Sequence, residues 1–364
     1  GTVAQASGQN SIAMGTHQRV TGANSGSIGY AGDYTPTNVG RDPSGTHADN
    51  ATLVSGTGTY SVGNTNSTVT SNESGIFGND NFIQAVENVR VVGNKNTVSK
   101  NNPPPGITKT LKDVYITGYN NQVDVAATPM ANSKNLFIMG AANKIGTKDA
   151  LTITDSYVIG TNNTINTPNT ASDSDDPSNP GAKVGKGFFI LGNNVTATKE
   201  NSVYLGTDAA YTAKGASTDG IGAVTEPVTV GGTLTYGGFA GKTPVGVVTV
   251  GDVGKERRIQ NVAAGLISAT STDAINGSQL YATNAKLGNV ANTVVENFGG
   301  NATLNPDGSI KYTNIGNTGK DNIHDAIKAA TTKVEGDKGV SVTPKTNADG
   351  SKTYTVAAKT DNTT

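Results

Sequence analysis

Cysteine is absent from this chain of 364 residues, and so is tryptophan. Without thiols there is neither a disulfide frame nor a thiolate metal site. Hydrophobic residues make up 34% and aromatic residues 5%. That is too little to fill the two or three compact cores a chain of this length would ordinarily carry. Charge is almost balanced, at a formal −1, so no electrostatic footprint for nucleic acid or an acidic membrane surface is present. No run approaches the roughly 18 apolar residues of a membrane helix, and no signal peptide opens the chain. Histidine occurs three times, as His17, His47 and His324, far apart. There is no His-Glu-x-x-His, no phosphate-cradling loop and no nucleophile elbow. We therefore expect no enzymatic activity, no metal and no cofactor.

What the chain has instead is glycine, 47 residues of it, and a degenerate repeat over residues 1–206. Glycines at 15, 29, 63, 78, 93, 118, 140, 160, 192 and 206 align the repeats, and the shortest spacings are 14 and 15 residues. The preceding residue is apolar in nine of ten cases, from Met14 and Ile28 to Leu191 and Leu205. We expect this position to face inward. Two residues before the glycine, early repeats carry Ala13, Ser27 and Ser61, and later ones Ile76, Val91, Ile116, Ile138, Val158 and Ile190. With both faces of a strand apolar, one chain cannot bury both, and a partner is implied. Five residues before the glycine stand Asn10, Asn24, Asn88, Asp113, Asn135, Asp155 and Asn201; three after it come Asn66, Asn81, Asn96, Asn121, Asn143 and Asn163. Gly and Asn tolerate the positive φ of tight corners. Each unit reads as strand, corner, strand, and the array as a parallel β-solenoid whose small units bury surface against one another.

Longer spacings mark insertions at Gly32–Gly58, Ser99–Lys112, Asp124–Lys134, Gly146–Thr154 and Thr167–Lys186. Their content is loop-like, as in Pro103-Pro104-Pro105, Thr128-Pro129 and the acidic run Asp173, Asp175, Asp176. That run lacks a Ca²⁺-loop pattern and is read as a solvated loop. Loops projecting from a solenoid often carry binding, so the insertions are the candidate ligand contacts. From 207 to 246 the repeat is lost in a Gly-rich, head-closing segment.

Residues 247–282 convert a β body into a helix. Val247-Val248-Thr249-Val250 is a short β run, and Arg258-Ile259-Gln260-Asn261-Val262 alternates like a second. Thr270-Ser271-Thr272-Asp273 offers acceptors for a helix start. Over 283–298, and beginning at Leu280, the residues Leu280, Asn284, Leu287, Ala291, Val294 and Phe298 form a heptad seam of about three repeats. Phe298-Gly299-Gly300 ends the helix. Within 299–335, Asn305-Pro306-Asp307-Gly308 predicts a turn between short strands. Asp321-Asn322 then caps a second helix with Ile323, Ile327, Ala330 and Val334 on one face. Residues 336–364 contain a hairpin around Asn347-Ala348-Asp349-Gly350.

The runs Arg257-Arg258-Ile259-Gln260-Asn261-Val262-Ala263-Ala264-Gly265 and Thr272-Asp273-Ala274-Ile275-Asn276-Gly277-Ser278-Gln279-Leu280-Tyr281 resemble the neck of trimeric autotransporter adhesins. Asn10-Ser11-Ile12-Ala13-Met14-Gly15 and Asn201-Ser202-Val203-Tyr204-Leu205-Gly206 are similar to the Asn-Ser-Val-Ala-Ile-Gly repeat of that family's heads. The resemblance implies a mainly β protein: a trimeric left-handed parallel β-roll head, a neck, a short trimeric coiled coil and a small β/α connector. It implies a homotrimer that attaches to host cells, extracellular matrix or other bacteria, anchored in the outer membrane through a C-terminal domain beyond this stretch. Arg257, Arg258, Asn261, Val262, Ile275, Gln279 and Leu280 become the structural neck. Asn284 becomes a candidate anion ring in the coiled coil, or, in a shifted register, an exposed residue. Arg257 and Arg258 should pair with carboxylates or helix-end carbonyls, and Val262 and Ile275 should fill a core shared by converging chains. The competing reading of the same features is a trimeric phage or bacterial fibre that binds or degrades glycans.

Overall fold

The computed structural model describes residues 4–31, 52–99, 111–123, 133–146, 151–165, 172–173, 183–212, 228–230 and 234–359. His47, the Pro103–Pro105 run, Thr128, Pro129, Asp175 and Asp176 lie outside them. The chain forms two compact units, Gly1–Gln260 and Asn261–Thr364.

The first unit is a parallel β-roll. Ten short strands, from Gln5–Ala6 to Thr196–Ala197, make one sheet. The other sheet starts at Ile12–Thr16 and runs to Ser202–Leu205 and then Val248–Thr249. The chain lays one strand in each sheet per coil, so successive coils pair in parallel and in register: Gly93 with Gly118, Gly118 with Gly140, Gly140 with Gly160. The repeat glycine is demanded twice over. At Gly118 φ is +151°, and a Cβ there would lie 1.7 Å from the Gly140 carbonyl oxygen of the next coil. No side chain fits between coils at that point.

The polar repeat positions make the corners. Asn10, Asn24, Asn88, Asp113, Asn135, Asp155 and Asn201 all hold positive φ, near 51–57°. A second left-handed corner falls two residues after the glycine, at Thr65, Asp80, Lys95, Asn120, Ala142 and Asn162; its mixed composition gives no sequence signal. The next residue in each coil builds an internal amide ladder. Asn96 Nδ2 donates to Asn81 Oδ1 at 3.0 Å and to the Gly118 carbonyl at 2.9 Å. Its own Oδ1 accepts from the Asn121 backbone N–H at 3.0 Å. The same pattern links Asn66, Asn81, Asn121, Asn143 and Asn163, all at most 1% exposed. Corner backbone groups that would otherwise be buried and unpaired are thereby satisfied.

The structure reverses the expected facing of the apolar columns. The residue two before the glycine is the buried one: Ser27 and Ser61 are at most 1% exposed, as are Val91, Ile138, Val158, Ile190 and Tyr204. They meet Val20, Ile83, Val98, Val123, Ile145 and Ile165 from the other sheet, each at most 1% exposed. The residue just before the glycine points out. Early coils are filled with small hydroxyls, Ser27 donating to Gln18 Oε1, which made their inward column read as a surface. In the last coil Tyr204 fills the interior; its hydroxyl donates to the Lys199 carbonyl at 3.0 Å, and burial pushes its pKa up.

Two further expectations change. The insertions are shorter than the spacings suggested, because Val86–Asn94, Leu111–Tyr119 and Leu151–Thr161 run as β through the left-handed corner. Leu111 and Ile153 are fully buried. Lys183–Lys186 pairs parallel with Leu151–Thr154 and antiparallel with Ser172–Asp173. Arg258–Val262 is not a strand; Asn261 there has φ 59°, and no neighbouring strand pairs with it among the described residues.

The second unit holds helix α1 (Gly277–Phe298), the paired strands Thr303–Leu304 and Ile310–Lys311, helix α2 (Ile323–Ala330) and the hairpin Val340–Thr346 with Lys352–Ala358. Gly299 at φ 55° ends α1, and Phe298 packs edge-on against Tyr312 at 5.6 Å. Helix α2 is capped by Asn322, whose side chain accepts from the Asp325 N–H at 2.9 Å. It stops at Ala330, so Val334 is not on its face; the β-branched Thr331 and Thr332 favour leaving the helix.

Gly118→Ala should lower the stability of the roll by more than about 3 kcal/mol, the range reserved for strain and lost packing. Asn96→Ala, which orphans the Gly118 carbonyl and the Asn121 N–H, should cost about 1–3 kcal/mol per group. Urea unfolding followed by far-UV dichroism measures both.

Candidate functional site

The long-strand sheet carries a broad apolar face pointing away from its own core. Met14 is 55% exposed, Phe77 64% and Leu191 48%. Ile12, Ile28, Tyr60, Val62, Val92, Tyr115, Met139 and Tyr157 share the face and are also exposed. Parallel register stacks like residues on like. Phe137 and Tyr157 lie 6.3 Å apart between ring centroids, and Tyr157 and Phe189 6.0 Å. An exposed apolar patch of this extent marks an interaction surface.

At the end of the roll, Arg257 closes the glycine stack. Its guanidinium lies over Gly206, with Cζ 3.2 Å from where a Cβ would be, the place taken by the next coil at every earlier glycine. Nη1 donates to the Val250 carbonyl at 2.5 Å and Nη2 to the Thr207 carbonyl at 2.6 Å. The expected arginine partners were carboxylates or helix-end carbonyls; the acceptors are strand-end carbonyls of the same chain. Arg258 is exposed.

In the second unit, the neck residues around α1 are tied by amides. Gln279 faces the Gly265 backbone with both ends of its side chain: Oε1 accepts from the Gly265 N–H at 2.9 Å, and Nε2 donates to the Gly265 carbonyl at 2.7 Å. Asn276 Nδ2 donates to the Val262 carbonyl at 3.1 Å, and Oδ1 accepts from the Gln279 N–H at 3.3 Å. The helix therefore begins on the Asn276–Gln279 capping box, and not on Thr270–Asp273 as expected. Asp273 instead accepts from the Leu266 N–H at 2.9 Å. The spacing Asn-x-x-Gln was the available signal for this cap. Val262 is half-buried, and Asn261 and Ile275 are exposed.

Helix α1 buries no residue. Leu280 and Leu287 are 58% and 68% exposed, and Asn284, in the same seam, is exposed as well. A 22-residue helix with an unburied apolar stripe is marginal in water. Among the described residues, His17 sits at a corner with φ 53° and His324 lies on α2. Among the described residues no three His, Asp or Glu side chains cluster for a metal. What it can do is associate.

A repeat protein of β-roll and helical-stalk type is the class these features define. The family model described as the coiled stalk of trimeric autotransporter adhesin matches residues 258–303. Over 112 residues the chain is 48% identical to the trimeric autotransporter adhesin AtaA of Acinetobacter sp. (strain Tol 5), which is 28% of this chain and 3% of that one. It is 51% identical over 77 residues to autotransporter adhesin BtaE of Brucella suis, covering 21% of this chain and 9% of the relative. With autotransporter adhesin EhaG of Escherichia coli O157:H7 it shares 47% identity over 74 residues, 20% and 4% of the two chains. The matched stretch thus spans less than a tenth of each of these relatives. A solved C-terminal YadA-like domain from Burkholderia pseudomallei is 39% identical, covering 35% of this chain and 57% of that one, with a TM-score of 0.28. Over these stretches the chain is similar to trimeric autotransporter adhesins.

Replacing Asn276 by Ala should cost about 1 kcal/mol through the lost cap, and Gln279→Ala a similar amount through two lost bonds to Gly265. Because the two side chains share one network, the double variant should cost less than the sum of the singles. Thermal unfolding followed at 222 nm gives all three values.

Proposed function

We propose that this stretch is the assembling and displaying part of a cell-surface adhesin. It is a homotrimer, non-enzymatic, anchored in the outer membrane by a segment beyond it, and attaches to host cells, extracellular matrix or other bacteria. The observation that carries the reading is the exposed apolar face of the long-strand sheet. Each fully buried large apolar side chain contributes about 1.5–3 kcal/mol, and more than ten stand on this face uncovered in the single chain. Three copies facing one another would cover them, and the bare seam of α1 asks for the same partners.

The insertions support display. In four consecutive coils, the chain leaves the short-strand sheet just after Val98, Val123, Ile145 and Ile165. These residues are stacked neighbours, so in all four coils the described chain ends its short strand at one edge of the sheet, and the expected insertions follow there in sequence. A trimer would carry three such edges, and weak contacts on each would add through effective concentration.

The test of assembly is mass. Light scattering should give about three times 36.9 kDa, and a value near the monomer would sink the reading. Ile275→Asp should weaken the trimer by several kcal/mol per site through an unpaired buried charge, whereas Lys286→Asp should not. Deleting 101–109 or 169–181 should leave the trimer intact and reduce adhesion of cells that display the protein. If both deletions adhere like the parent, the attachment sites lie on the roll itself.

A further inference from the structure

Arg90 breaks the pattern of the apolar face. Along the two outward rows, one and three residues before each repeat glycine, it is the one charged residue among twenty. Its position in the other coils is taken by residues such as Ile12, Tyr60, Tyr115, Phe137 and Phe189. The side chain lies against Gly75 of the preceding coil, with a Cδ contact of 3.5 Å to the position of a Cβ there. Nη1 donates to the Glu73 carbonyl and, at 3.3 Å, to the Val89 carbonyl. So the cation is drawn one coil back while remaining exposed. Neutral carbonyls accept from its Nη1 but do not balance its charge, and covering this face would strip its water.

Symmetry restricts what can meet it. Resting on the homotrimer reading above, rotation about an axis parallel to the roll leaves each coil at its own height. A partner for Arg90 must therefore sit in the two coils its side chain spans. Among the described residues the carboxylates there are Glu73, Asp80 and Glu87. Glu73 and Glu87 stand at the corner before the glycine, on the edge toward which Arg90 itself leans. Asp80 stands at the corner after the glycine, on the opposite edge of the face, with φ 58°. In a cyclic assembly one edge of the face meets the other edge of its neighbour. We propose that Arg90 of one chain pairs with Asp80 of the next, and that this pair fixes the axial register of the trimer.

The rest of the face cannot do so. Every coil repeats the same apolar rows about 4.8 Å along the axis, so a stagger of one coil preserves hydrophobic contact. Such a stagger opens the ring into a staircase. At the corner that holds Asp80, the next coil carries Lys95, whose ammonium lies 5.6 Å from the Tyr119 ring centroid. The preceding coil carries Thr65, and later coils Asn120, Ala142 and Asn162. Because the guanidinium is drawn to the coil of Gly75, in register it stands level with Asp80 and one coil from Lys95; a slip in one direction sets it level with Lys95, a like-charge contact, and a slip in the other level with neutral Thr65. The in-register arrangement alone gives the cation an anion, the role a single polar pair takes in specifying a repetitive interface.

The experiment is a charge-swap cycle on the full chain: Arg90→Glu, Asp80→Arg, the double swap, and Glu87→Arg as a same-edge control. Trimer dissociation is followed by light scattering against dilution, and folding by far-UV dichroism. Each single reversal should raise the trimer dissociation constant at least tenfold, with larger aggregates present, while the double swap returns to within about threefold of the parent. Glu87→Arg should stay near the parent and should not rescue Arg90→Glu. Should a reversal fail to fold, the Asp80→Asn and Arg90→Met pair, tested singly and together, gives the same coupling. Singles equal to the parent, a double swap as weak as the two singles combined, or rescue by Glu87→Arg would overturn the pair while leaving the trimer standing. A parent chain that is monomeric at every concentration would overturn the trimer and the pair together.

Discussion

Coil-on-coil approach at the repeat glycine is the constraint on which the roll depends. Backbone meets backbone there with less than the width of a methyl group to spare, since a Cβ at Gly118 would lie 1.7 Å from the Gly140 carbonyl oxygen. This closeness sets the parallel register, and register stacks every other position on its own kind. The asparagine ladder, the buried aliphatic columns and the outward apolar rows all follow from that alignment. A side chain at the glycine position would therefore disturb a whole coil and not a single contact.

The roll solves its polar problem by repetition. Each ladder asparagine serves a glycine carbonyl and an asparagine N–H of the following coil and donates to the asparagine side chain of the preceding one, so a small number of side chains satisfies a long series of corner groups. The series ends where the repeat ends. Val195 takes the ladder position after Asn163 and closes it with its own N–H. Tyr204 fills the final interior, and Arg257 lies over Gly206 in place of a further coil. These closing devices use one residue each, and none repeats.

In the proposed trimer, assembly and display use opposite sides of the same arrangement. The outward face of one sheet is too apolar to stay wet, and the helix beyond the roll has an unburied seam. The edge at which the short strands of four successive coils end is built on the other sheet. Repetition makes the apolar face large and also indifferent to register, which gives a lone charge such as Arg90 more consequence than its number suggests.

The sequence by itself determined the repeat, its glycine and asparagine corners, the helix with its heptad seam, the hairpin and the resemblance to trimeric autotransporter adhesins. Each of these rests on local chemistry: φ tolerance, turn residues, helical periodicity and a long linear motif. Tertiary structure alone decided which apolar column faces inward, because two adjacent columns are both apolar in the later coils and hydropathy cannot choose between them. Ser27 and Ser61 mislead for the same reason: a narrow coil is filled by small hydroxyls, and burial depends on the coil opposite. The second corner, at residues as unlike as Lys95 and Ala142, was illegible because stacking and not side-chain preference imposes its positive φ. From the sequence, Arg257 reads as a partner for carboxylates or helix-end carbonyls. Only the position of the Thr207 and Val250 carbonyls, brought together by a strand that returns to the sheet after some forty intervening residues, shows that it ends the roll.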